Sequence, residues 1–342
     1  MKKLGILLFN GLASFGLSVI VMIFMFLIIL FGTLYQVDNG LYAAQQKYFD
    51  SIFVLHEVGP ITIPLPGAYL LMVVLAINLL FGGFIRIRKS KYTVGILITH
   101  FGIAFMLVSC AMTFHWADRG HMTLYEPHNG MPGQSSDEFV SYTISNIEIG
   151  KGVAGSIQHT IHEDLFKDLS NGKTRTFYND ALPFELTVSD YSVNAFVSPV
   201  RPMMPDGARV IDGYYLEALP RELQAEQNRP GLYVSVKDTA TSAITEGILW
   251  GLDMHPLTVT AGGEDWLIDL PRKRWQAPFT VTLDKFIHDK HAGSMMARSY
   301  ESYITKTEGE SKDVVRIWMN HPLRHKGYTF FQESFGPSNA QP

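Results

Sequence analysis

The sequence predicts an integral membrane protein: three transmembrane α-helices followed by a large, mainly β extracytoplasmic domain. Three observations predict it. Long charge-free apolar stretches occur only in the first third of the chain, Lys and Arg gather in alternate short loops, and beyond about Trp116 the composition turns to that of a soluble domain with period-2 alternation.

Residues 4–37 contain no Asp, Glu, Lys or Arg, and the part from Ser18 to Tyr35 is dense in Ile, Phe, Leu and Met. A second charge-free stretch covers 58–85, its apolar part from Ala68 following Pro60, Pro64 and Pro66; a third covers 92–117. A bilayer core needs about 20 residues of helix, and each stretch supplies them. The expected spans are 14–35, 68–86 and 93–115, which makes 1–115 a membrane domain and 116–342 the outer one. A signal peptide is not expected at the start, because the apolar run is too long and no small-residue cleavage site precedes Asp38.

Lys2 and Lys3 precede the first span and Arg86, Arg88, Lys89 and Lys91 crowd the turn between the second and third, whereas the loop from Gln36 to Leu65 carries only Lys47. The positive-inside rule therefore places the amino terminus in the cytoplasm and the large carboxyl-terminal part outside it, in a multi-pass protein of the cell (inner) membrane.

In the outer domain, Phe279, Val281 and Leu283 alternate with Thr280, Thr282 and Asp284, and Leu232, Val234 and Val236 with Tyr233, Ser235 and Lys237. Half-buried strands require this pattern. Residues 314–319 and 328–335 read as two strands joined by a turn around Asn320, Pro322 and Gly327, and 220–227 as a short helix. PFELTVSDY (183–191) and PFTVTLDKF (278–286) echo one another, as two similar β modules would.

Composition excludes several functions. A net charge of -4 and a pI near 6.3 give no sign of a nucleic-acid partner. One cysteine, Cys110, permits no intramolecular disulfide, no C-x-x-C oxidoreductase and no c-type haem attachment. No hydrolase elbow, H-E-x-x-H, P-loop or dinucleotide fingerprint stands in a working context, so the chain is not expected to be an enzyme by itself.

His100 lies near the start of the third span. An ionisable group at membrane depth marks a functional site or, equally consistent with spacing, hydrogen-bonds a neighbouring helix. His115, His121 and His128 cluster where that span ends, as interface histidines or a relay. His288 and His291 form an H-x-x-H pair without a third ligand at zinc-site spacing and read as a surface loop. His321 and His325, flanking Pro322, read as exposed.

Several segments carry a family resemblance: FGTLYQ (31–36), YFDSIF (48–53), LAINLLFGGFIRIR (75–88), THFGIAFMLVSCAMT (99–113), GHMTLYE (120–126), PFTVTLDKF and, most specifically, VRIWMNHPLRHKGYTFFQESF (315–335). In this order they resemble the ResB/CcsB family of system II cytochrome c biogenesis. The resemblance implies a membrane subunit that works with a CcsA/ResC-like membrane protein in the lipid bilayer, carries or holds haem b and presents it to apocytochrome c outside the cytoplasm. It also implies that His100 is an axial ligand of the haem iron, with the opposite ligand in the partner; His115 and His121 are further candidates for haem contact by their place near the exit of the span, although the family's outer ligands belong to the partner. Family members usually return to the membrane through a fourth span, whereas this sequence stops at Pro342; either it is a shortened variety or the span belongs to another, tightly docked polypeptide. The other reading is a membrane-anchored β-domain protein with a structural or interaction role and no haem.

Overall fold

The computed structural model of the chain describes residues 2–128, 130–152, 157–170, 172–202, 204–205, 207–293 and 297–333. Four α-helices come first: α1 (Lys2–Leu12), α2 (Phe15–Ala44), α3 (Ala68–Asn78) and α4 (Val94–Trp116). π-Helix extends α2 over Gln45–Phe49 and α3 over Leu79–Arg86. Among the described residues, the resulting segments Phe15–Phe49, Ala68–Arg86 and Val94–Trp116 are the three helices long and apolar enough to cross a membrane, and a large mainly β part follows them.

The charge-free stretch 4–37 is broken rather than continuous. Ser14 caps the amino terminus of α2, its hydroxyl accepting the Leu17 N–H at 3.1 Å, which satisfies one of the donors a helix start leaves over. The carbonyls freed at the break go to α3 and its extension. Buried Asn78 donates to the carbonyls of Leu12 (2.7 Å) and Ser14 (3.0 Å) and accepts from the Ser18 hydroxyl (2.6 Å), while Arg86 reaches the Ala13 carbonyl at 3.2 Å. Backbone groups in lipid need internal partners, and this knot provides them.

Further on, α2 departs from helix at Gly40, with φ 80°. Only glycine suits the place, since a Cβ there would run into the Leu223 carbonyl. The core of the membrane part is formed by Val21, Ile28, Tyr48, Val54, Leu65 and Leu71.

The expected loop from Gln36 to Leu65 contains most of a hairpin: Phe53–Val58 pairs antiparallel with Ile61–Pro66. Gly59 supplies the positive φ (60°) of its two-residue turn. Pro64 and Pro66 are tolerated because the second strand has only one neighbour and can spare their missing N–H groups.

The chain divides into two compact units, residues 1–118 with 166–263, and residues 119–165 with 264 onward. In the first unit an antiparallel sheet runs in the order Ile244–Trp250, Gly231–Asp238, Phe184–Ser192, Thr174–Phe177. In the second, a five-stranded antiparallel sheet runs Ser311–Trp318, Ala297–Glu308, Arg272–Lys290, Ser135–Ser145, Gly120–His121. Its core is Ala277, Phe279, Val281, Ile304, Ile317 and Leu323.

The two echoing segments occupy equivalent inner positions, one in each of these sheets. Phe184, Leu186 and Val188 are buried in the first, Phe279 and Val281 in the second, and the register of each strand shifts toward the end of the segment, at Asp190 and Tyr191 or at Asp284. A bulge bends a strand and strengthens its twist, so each strand curves near the end of its segment.

Two expectations are corrected. Residues 220–227 hold only a 3-10 turn, Ala225–Gln227, and the Asn228 side chain ties the segment down by accepting from the Glu222 N–H and donating to the Ala225 carbonyl. The strand Ser311–Trp318 pairs with Ala297–Glu308 and not with the following one; the turn between them contains a further strand, Leu323–His325, which forms its own hairpin with Tyr328–Phe330. Ser334 and Phe335, included in the expected last strand, lie outside the described residues.

Candidate functional site

Of the three histidines in the membrane part, His100 has the most informative surroundings. It is half-buried on α4, a helix on which no residue is fully buried. Its Nδ1 lies 3.3 Å from the carbonyl oxygen of Gly83, in the π-helical stretch Leu79–Arg86, and Phe84 meets the ring at a tilt with centroids 6.4 Å apart.

Sequence explains this local geometry. Near the end of a helix the last carbonyls have no intrahelical donor, and Gly83 lies three residues before Arg86, where that helix ends. Having no side chain, Gly83 also makes room: a Cβ there would lie 2.8 Å from His100 Nδ1.

A carbonyl oxygen can only accept, so the proton of this bond is on Nδ1. In the neutral ring the other nitrogen, Nε2, then keeps its lone pair. Metal-binding histidines are oriented in this way, by donating from the nitrogen that does not bind. The donor chemistry of the site therefore fits an axial ligand for haem iron. The same bond also serves as a helix cap.

His56 and His115 are arranged differently. The His56 ring stacks on Phe31 at 4.1 Å and its Nδ1 lies 2.7 Å from the hydroxyl of Tyr48. Tyr48 is wholly buried. A buried hydroxyl is best satisfied as a donor, which puts the His56 proton on Nε2 and leaves no lone pair free for iron. In His115 it is Nε2 that is engaged, 3.2 Å from the Tyr69 hydroxyl, and Phe114 and Trp116 flank the ring.

The remaining candidates lie in the second unit. His121 is half-buried in a two-residue strand, its ring 5.3 Å from that of Tyr142. His128 forms an isolated bridge with Met131. His288 stacks on Tyr300 at 4.9 Å and belongs to a strand, not a loop. His321 is exposed and stacks on Trp318 at 3.6 Å. His325, expected to be exposed, is half-buried because Phe279 lies against it and its Nε2 bonds Glu308 at 2.8 Å. Among the described residues, no three His, Cys, Asp or Glu side chains gather to hold a metal ion.

Sequence reasoning passed over His56, whose signal was its place in a loop between two aromatic-rich segments. It also passed over Gly83, the second glycine of LFGGF (80–84), where paired glycines in an apolar helix mark a close approach.

The model of the ResB-like family matches residues 259–341. The match runs through the strands of the second unit from Glu264–Asp269 to Tyr328–Phe330, with residues 334–341 outside the described ones, and includes none of the membrane helices. No curated protein matches the chain. The family implies a role in cytochrome c biogenesis.

Proposed function

We propose that this chain is a membrane subunit of a system II cytochrome c biogenesis complex, which holds haem as cargo through His100 and helps present it to apocytochrome c. The C-terminal match to the ResB-like family and the three membrane-length helices support the setting. The observation that carries the haem assignment is the bond from His100 Nδ1 to the Gly83 carbonyl. It fixes the ring in the tautomer whose Nε2 can bind iron, and it does so on a helix whose neighbours are apolar and suited to a porphyrin face.

In this reading the chain's residues bind and orient. Gly83 turns the imidazole, α4 presents it, and a CcsA/ResC-like membrane protein contributes the opposite ligand. The β part, held outside the cytoplasm, guides apocytochrome, and the thioether bonds are made by the complex rather than by this chain. Two imidazoles on iron shield it from water and oxygen and set its potential.

The test uses the complex purified from membranes. Replacing His100 by Gly is expected to remove most of the Soret absorbance, and added imidazole to restore it. An unchanged spectrum, with exported cytochrome c at its normal level, overturns the assignment and leaves His100 as a helix cap.

A further inference from the structure

The hairpin Phe53–Val58/Ile61–Pro66 exposes apolar side chains on both faces: Phe53 and Leu55 on one, and toward the turn Ile61 and Ile63 on the face that also carries Val54 and Leu65. Phe53 is 71% exposed, Leu55 63% and Ile61 62%, with Ile52 and Ile63 also exposed. Among residues 51–67 the only Asp, Glu, Lys or Arg is Glu57, next to the turn. Two-stranded hairpins are marginal in water even without such a surface.

The hairpin's height relative to the spans follows from contacts. Ser18 of α2 bonds Asn78 of α3. Both helices rise about 1.5 Å per residue, so the ten residues back to Ala68 bring the start of α3 level with about Ile28. The hairpin leaves from there: the Gly67 N–H donates to the Ile52 carbonyl at 2.7 Å, and Val54 and Leu65 pack into the cluster of Ile28 and Leu71. Further along, His56 stacks on Phe31. Ile28 and Phe31 both belong to the apolar, charge-free part of α2.

We infer that this hairpin lies in the membrane interface on the side where α3 begins, with Phe53, Leu55 and Ile61 covered by lipid. Its depth is bounded from both sides. The uncovered side chains favour the acyl boundary, but each strand has an outer edge of unpaired N–H and C=O groups, which the hydrocarbon interior does not tolerate. The headgroup–acyl boundary satisfies both demands. The inference is independent of haem.

The single cysteine makes the test direct. In full-length protein carrying Cys110→Ser and reconstituted in phosphatidylcholine nanodiscs, spin labels are attached at Phe53→Cys, Leu55→Cys and Ile61→Cys, and at Tyr178→Cys, which is 81% exposed. Collision with oxygen, which concentrates in lipid, is compared with collision with a water-soluble nickel chelate. The three hairpin labels are expected to show an oxygen-to-nickel ratio severalfold above that at Tyr178→Cys. Equal ratios would place the hairpin in water and overturn the inference. Protection from both reagents would mean that protein, not lipid, covers it, and would overturn it as well.

Discussion

His100 and His325 are both half-buried imidazoles, and their surroundings make them opposites. His100 donates to a backbone carbonyl among apolar side chains, with no acid near enough to pair with it among its described partners. His325 bonds the carboxylate of Glu308, which also accepts from Lys326; these two partners, Lys326 first, hold Glu308 down at about 2. One ring is set up to offer a lone pair, the other to join a charge cluster that ties the last hairpin to the sheet. The comparison teaches that residue type carries little of the assignment, and that which ring nitrogen is engaged, and by what acceptor, carries most of it.

The broadest contrast to break is between the sheet that holds His325 and the helices that hold His100. Phe279, 3% exposed, touches His325, Tyr328 and Phe330. Truncating it, Phe279→Ala, is expected to cost about 3–5 kcal/mol, seen as a lower melting point in near-ultraviolet circular dichroism of the second unit. The far-ultraviolet helical signal of the membrane part should persist to its original temperature; joint melting would mean that the two regions are not separate.

Gly83→Ala addresses His100 alone. The added methyl would sit 2.8 Å from Nδ1, and overpacking of this kind costs about 1–3 kcal/mol. With ¹⁵N-labelled histidine and no haem present, the Nδ1–H tautomer is expected to dominate the original protein and to be lost in the variant. Finding the Nε2–H tautomer in the original protein would remove the distinction from His56. Tyr48→Phe provides the counterpart: deleting the hydroxyl that bonds His56 should cost about 1 kcal/mol, measured as loss of thermal stability, with His100 unaffected.

The smallest effect belongs to Glu308. Its folded pKa lies below its ordinary value of 4.5, at about 2. The stabilisation is therefore complete above about pH 4.5 and disappears as the pH falls toward 2. Glu308→Gln is expected to remove this part of the acid sensitivity, so the variant and original curves of melting temperature against pH should converge at the acidic end. Parallel curves would show that the cluster contributes nothing.

Much of the membrane part was legible because the rule behind it is local. Runs without charge disclose spans, and an imidazole inside such a run draws attention whatever it touches. The partner of His100 was not legible, since Gly83 is brought to it by the packing of two helices, which no spacing within either one reveals. The hairpin was hidden by Pro60, Pro64 and Pro66, residues that usually end strands but are harmless in a strand with one free edge. In the β part, alternation disclosed Phe279 and Val281 as core. It failed at 323–325, where three residues are too few to show a period, and at 220–227, where the chain makes only the turn Ala225–Gln227.

The Asn78 knot bears on how the protein is made. Carbonyls of Leu12, Ala13 and Ser14, exposed by the break between α1 and α2, wait for Asn78 and Arg86, synthesised more than sixty residues later. Until the ribosome has passed Arg86, the first two helices are an unfinished product in which water or the insertion machinery must shelter those oxygens. Release of α2 into lipid is thereby coupled to arrival of α3, and the two are expected to leave the translocon together.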